Sequence, residues 1–133
     1  MDLLISIKPN FIEKIISHEK KYEFRKRIFR KNVDKLFIYS SSPEKKIIGY
    51  FTAGDIVKDN PERLWANFSH VAGISKEAFF DYFEGKKEGF AIEIKDLTIF
   101  TKPINTDKLE NFRAPQSFCY IGDDEYGFSN DIW

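Results

Sequence analysis

Apolar and polar positions change period several times along this chain, and each change marks an element. Leu3-Leu4-Ile5-Ser6-Ile7 is apolar and β-branched, which predicts a first strand over residues 3–8. After Pro9 the period lengthens to that of a helix. Phe11, Ile12, Ile15 and Ile16 form its buried stripe, Asn10 is the N-cap with Glu13 in a capping box, and the helix ends near His18. From Lys21 the period drops to two. Strand side chains alternate between faces, so Lys21, Glu23, Arg25 and Arg27 share one side and Tyr22, Phe24 and Lys26 the other. A basic loop, Arg30-Lys31-Asn32, leads to a third strand over 35–40, and Ser41-Ser42-Pro43-Glu44 is a turn. A long fourth strand follows over 46–57, where Gly49 and Gly54 mark bends or bulges.

The second half alternates in the same manner. Leu64, Trp65 and Phe68 lie on one side of a short helix over 62–68, and Ser75 caps another that ends before Gly85. Residues 88–98 return to strand alternation, with Phe90, Ile92 and Ile94 opposite Ala91, Glu93 and Lys95. Pro103 opens a loop, Thr106 caps a single helical turn, and residues 114–121 form a last short strand. Five or six strands with three or four short helices and short connections predict an α+β fold with a mostly antiparallel, small barrel-like sheet. Residues 1–121 read as one domain, and residues 122–133 as an acidic, aromatic tail.

Charge sharpens this picture in one place. The 133 residues hold 21 Lys and Arg against 21 Asp and Glu, so no global basic field marks the chain for nucleic acid. Residues 8–35, however, carry ten of the basic residues against Glu13, Glu19, Glu23 and Asp34. That is a local patch. Of the aromatics, 14 are Phe, more than a core of this size needs, which leaves rings for stacking. Cys119 is the single cysteine, so no intrachain disulfide forms and a reducing cytoplasm is expected, with the thiol buried beside Phe118 and Tyr120. Residues 1–8 lack a basic start and a long apolar run, so neither a secretory leader nor a membrane span is expected.

The usual cofactor motifs are missing. No phosphate loop or dinucleotide fingerprint is present, and His18 and His70 have no metal-ligand spacing with cysteine or with each other, so no cofactor or metal is expected. His18 reads as a helix-end cap and Cys119 has nothing beside it in sequence to activate it. What remains is a set of polar groups at strand ends and faces: Ser6, Lys8, Lys20, Glu23, Arg25, Arg27, Tyr39, Ser40, Ser41, Gln116 and Ser117. Gathered in a cleft, they suit a phosphate or a nucleobase edge. On residue chemistry alone, the charged strand can equally be a solvated, salt-bridged sheet surface or a protein-interaction edge.

One resemblance bears on that choice. Ile5-Ser6-Ile7-Lys8-Pro9, the helix with Phe11, Ile15 and Ile16, and then His18-Glu19-Lys20-Lys21-Tyr22-Glu23-Phe24-Arg25 together resemble the ASCH domain, a branch of the PUA-like superfamily. The family signature places Gly-x-Lys-x-x-Glu-x-Arg after the first strand and helix. Lys20, Glu23 and Arg25 match it, and His18 stands in place of the glycine. Ala114-Pro115-Gln116-Ser117-Phe118 resembles the closing segment of one subgroup. The resemblance implies a PUA-like barrel and a cleft that binds RNA or a modified nucleoside, with Lys20, Glu23 and Arg25 facing it. It implies an alternative too, since small members hydrolyse N-acetylated cytidine through the motif lysine. In those members a Thr stands where this chain has Glu23, and a second Glu acts from a later segment, whereas residues 71–74 here offer none. If this chain were such an amidohydrolase, Lys20 and Glu23 would be its catalytic pair. Glu23 is expected to hold Lys20 charged, which disfavours that chemistry.

Overall fold

The computed structural model describes residues 1–121; the expected tail over 122–133 lies outside the described residues. Six strands appear in chain order: β1 (Asp2–Ile7), β2 (Tyr22–Arg25), β3 (Leu36–Ser40), β4 (Lys46–Asp59), β5 (Gly89–Asn105) and β6 (Phe118–Ile121). The helices are α1 (Pro9–Ile16), α2 (Pro61–Phe68) and α3 (Lys76–Tyr82), with single 3-10 turns at Ser69–Val71 and Thr106–Lys108. Strand order is β2-β5-β4-β3-β1-β6. The chain divides into two compact units, and β4 and β5 each contribute to both.

The first unit comprises Met1–Pro9, Lys31–Thr52 and the chain from Asp96. β1 is its central strand. It pairs in parallel with β3, setting Ser6 beside Tyr39, and antiparallel with β6, setting Leu4 beside Cys119. A strand flanked on both sides and covered on both faces is predominantly apolar. Accordingly Leu3, Leu4 and Ile5 are buried, as is every residue of β3. Leu4, Phe37, Tyr39, Ile47 and Ile121 form the core here, with Phe112 and the half-buried Cys119 packed against it. β3 and β4 pair antiparallel with a one-residue bulge between Ile38 and Tyr39. The bulge falls beside Gly49, where a Cβ would run into the Thr98 carbonyl.

The second unit comprises Asn10–Arg30 and Ala53–Lys95. Its core is aromatic. Phe79 is fully buried, with Phe24 edge-on at 5.1 Å, Trp65 at 5.1 Å and Phe83 at 4.9 Å between ring centroids. Phe24, Phe79 and Phe83 are thus consumed by packing, while Phe68 lies half-buried at the edge of this core. Ser75 caps α3 as expected, accepting from the Ala78 amide at 3.1 Å, and Asn60 caps α2, accepting from the Arg63 amide at 2.8 Å.

Several expected boundaries move. α1 begins at Pro9, so Asn10 lies in its first turn and is not the cap; proline's fixed φ suits the first helical position. Ile16 is 46% exposed, off the buried stripe of Ile12 and Ile15. β2 stops at Arg25, so Lys26 and Arg27 leave the alternation. β5 continues through Pro103 to Asn105. β2 pairs only with Phe90–Glu93, and proline is tolerated where no ladder partner needs its missing N–H. Asn105, not Thr106, caps the following turn, accepting from the Asp107 amide at 3.0 Å. β6 begins only at Phe118.

Candidate functional site

The charged segment is placed by the turn between α1 and β2. His18 takes a left-handed conformation, φ 67°, the backbone state that the motif glycine would adopt without strain. The turn is then tied down by backbone. The Lys20 amide donates to the Lys14 carbonyl and the Lys21 amide to the Val71 carbonyl, both at 2.9 Å. Lys20 is thereby directed inward and is only 3% exposed. Its stem rests on Gly73, which has φ 62° and no room for a Cβ. Its ammonium lies 4.9 Å from the Phe24 ring centroid and 5.6 Å from that of Phe11, a position in which ring faces attract a cation.

Two oxygens complete the lysine's surroundings. Nζ donates to the Ala72 carbonyl at 2.9 Å and lies 3.5 Å from Glu23 Oε1. Glu23, itself 7% exposed, uses its other oxygen to accept from Arg25 Nη2 at 2.8 Å. Residues two apart on a strand share a face, and the pair lies along β2 in that way. Lys20, Glu23 and Arg25 are therefore one connected charge set. Among the described residues no buried side-chain nitrogen or oxygen lacks a hydrogen-bond partner. Such satisfaction is what makes a buried charge tolerable.

Burial pulls the Lys20 amine below its ordinary value, and the Glu23 charge offsets this only in part. Glu23 thus acts on Lys20 in the direction expected of a neighbouring carboxylate, raising the amine, while burial lowers it by more. For Glu23 the balance goes the other way. Burial raises its carboxyl, but the charges of Arg25 and Lys20 and the Arg25 hydrogen bond hold it below the ordinary range.

A second group of expected residues lies in the first unit. The Ser6 hydroxyl donates to the Pro115 carbonyl at 2.7 Å, and the Ser6 amide to the Ser117 carbonyl at 2.9 Å. Tyr39, Ser6's partner in the β1–β3 register, is buried, with Phe112 at 5.3 Å between ring centroids. Ser6, Tyr39 and Ser117 are thus brought together by β1. Ser40 turns to Glu44, its hydroxyl donating at 3.3 Å, and the Ser41 hydroxyl to the Ile7 carbonyl at 3.5 Å. Lys8 and Gln116 are exposed on the loops that follow β1 and precede β6. Arg27 is exposed beyond the end of β2, and Lys21, exposed ahead of β2, does not join Glu23.

The Ala72 carbonyl and Gly73 escape a reading of motifs. A carbonyl oxygen has no residue signature, but the small pair Ala72-Gly73 is the trace of close backbone approach. Among the described residues, no three His, Cys, Asp or Glu side chains gather as a metal ion would require. No described helix is long and apolar enough to cross a membrane.

Comparison with known proteins follows the same lines. A family model described as a domain of unknown function (DUF365) matches residues 4–112. An ASCH domain-containing ribonuclease of Zymomonas mobilis is 33% identical over 129 residues, spanning 93% of this chain and 86% of that protein. The crystal structure of ASCH from Zymomonas mobilis superposes with a TM-score of 0.88 at 31% identity, covering 98% of this chain and 94% of that one. A variant of the Zymomonas protein with a serine replaced by alanine gives 0.89 at 30% identity, covering 98% and 95%. Another variant replaces a tyrosine by phenylalanine. The α+β, PUA-like fold class read from the sequence is the one these structures share.

Proposed function

This chain belongs to the ASCH domain family, and from that premise we propose that it is an RNA-binding protein. The observation that carries the reading is its nearly end-to-end kinship with a relative named as a ribonuclease. In this reading the ligand is RNA or a modified nucleoside within it. Arg25, oriented by Glu23, addresses a phosphate or a base edge, as a planar guanidinium fixed by a carboxylate is suited to do. Lys20 is a positioning residue: its ammonium anchors Glu23 from the interior. Arg27, exposed beyond β2, adds a phosphate contact to that set; on the first unit, Lys8 is an exposed phosphate donor and Gln116 an exposed amide able to read a base edge. Within the first unit Tyr39, Ser6 and Ser117 form a separate group of hydroxyls, and Ser40 is buried against Glu44. Replacing Tyr39 by Phe and Ser117 by Ala repeats in this chain the type of exchange made in the Zymomonas protein.

With zero net charge, few phosphates are neutralised at once, so binding is expected to be micromolar or weaker and salt-sensitive. Fluorescence anisotropy with single-stranded and hairpin RNA at two salt concentrations measures it. Arg25→Ala combined with Arg27→Ala should weaken binding about tenfold or more. Absence of binding at low salt, or binding indifferent to that double substitution, would refute the reading. The same incubations, resolved on a gel, report whether strands are also cut.

A further inference from the structure

Both histidines of the chain line a single pocket, and neither takes part in the charge set described above. The pocket lies wholly within the second unit and has a volume of about 440 Å³. His18 and Lys21 come from the turn between α1 and β2, Tyr22 from β2, Phe68 from the end of α2, His70 from the 3-10 turn after it, and Glu93 from β5.

These groups fall into three chemical kinds. The first is an aromatic wall: the Tyr22 and Phe68 rings lie 4.4 Å apart between centroids and 35° from parallel, and both are half-buried. The second is a set of donors. His18, Lys21 and His70 are all exposed, and an imidazole N–H and an ammonium are both phosphate donors. The third is a pair of acceptors, the Asn67 amide oxygen and the Glu93 carboxylate; the Glu93 side chain is the anchored one. Its Oε1 already accepts from the Asp55 amide at 3.0 Å, which fixes the side chain against β4. Backbone bonds hold the rim in place: Lys21 carbonyl accepts from the Ile94 amide and Lys21 amide donates to the Val71 carbonyl, each at 2.9 Å.

We propose that this pocket is a nucleotide site, separate from the motif cluster, in which the base packs on Tyr22 and Phe68 and the phosphate is taken by Lys21, His18 and His70. Stacking on rings accommodates any base, while a fixed carboxylate favours bases that present an N–H donor. The site takes either a free nucleotide or one nucleotide of an RNA strand, because both present the same base and phosphate. It does not depend on the function proposed above.

Titration of the full chain with adenosine, guanosine, cytidine and uridine monophosphates, followed by amide NMR shifts, tests it. Inorganic phosphate and the unphosphorylated nucleosides serve as controls. Shifts centred on residues 18–22, 67–71 and 93–94 are expected, with nucleotides binding tighter than either control. His18→Gly retains the left-handed turn and removes the imidazole. That variant, His70→Gln and Lys21→Met should each weaken binding about tenfold or more, the contribution of one hydrogen bond to a charged group. A short single-stranded oligonucleotide that binds tighter than the mononucleotides assigns the site to RNA, and equal affinity assigns it to free nucleotides. No shifts at millimolar nucleotide, phosphate alone binding as tightly as the nucleotides, or unaltered affinity in all three variants would overturn the proposal.

Discussion

Lys20 and Glu23 couple the stability of the fold to pH. Glu23 is held below its ordinary value of 4.5 in the folded chain. As pH falls through that range the unfolded chain takes up its proton first, so the stability contributed by Glu23 is present above about pH 4.5 and is lost below it. Lys20 acts in the same sense in a different window. Its folded-state value lies below the ordinary 10.5, so the unfolded chain keeps a proton that the folded chain releases, and stability rises as pH is raised towards that value. Urea unfolding midpoints across this pH range should therefore show two rising limbs. Glu23→Gln should flatten the acid limb and Lys20→Met the alkaline one; limbs unchanged by either substitution would contradict the assignment. Glu23→Ala, which leaves two cations without their carboxylate, should cost about 3–5 kcal/mol. The matches to the motif were legible from residue identity and spacing alone. The burial that lowers the Lys20 amine was not, because it is set by Ala72, Gly73 and Phe11, and nothing in a local window ties residues 71–73 to residue 20.

At the scale of elements, the turn between α1 and β2 is where this chain departs from its family's signature. His18 bears the left-handed conformation that a glycine would occupy, at a cost of about 1–2 kcal/mol. Part of this would be recovered in His18→Gly, since glycine's greater freedom in the unfolded chain offsets the rest. A rise in thermal midpoint of a few degrees is expected, corresponding to about 0.5 kcal/mol. Gly73→Ala should do the reverse, by about 2–4 kcal/mol, because it combines a positive φ with a Cβ driven into Lys20. A His18→Gly protein less stable than the parent would show that the imidazole, not the turn, is what matters there. Element type and order were readable from periodicity, and the cap at Ser75 was readable from residue chemistry. Boundaries failed where pairing overrides composition, as at Pro103 inside β5 and at Lys26 and Arg27, whose alternation continues after β2 has lost its partner.

At the scale of the molecule, composition could not sort the aromatics: Phe24, Phe79 and Phe83 are walls of one core, while Phe68 lies half-buried at its edge. Zero net charge bounds how strongly any nucleic acid can be held at a distance. The order of the strands carries a further consequence, and it concerns time. β1 is the first strand of the chain, and the two strands it lies between are β3 and the last one described, β6. Leu4 meets Phe37 on one side and Cys119 on the other. During synthesis β1 and β3 can therefore pair early, but the second edge of β1 stays open until residue 121 has left the ribosome. At roughly 5–20 residues per second the intervening chain takes several seconds or more to make. Such long-range closure places refolding in the millisecond-to-second range rather than the microseconds of helical bundles. Stopped-flow refolding followed by tryptophan fluorescence should show it. A nascent chain arrested before β6 should expose a sticky apolar edge that the finished protein hides.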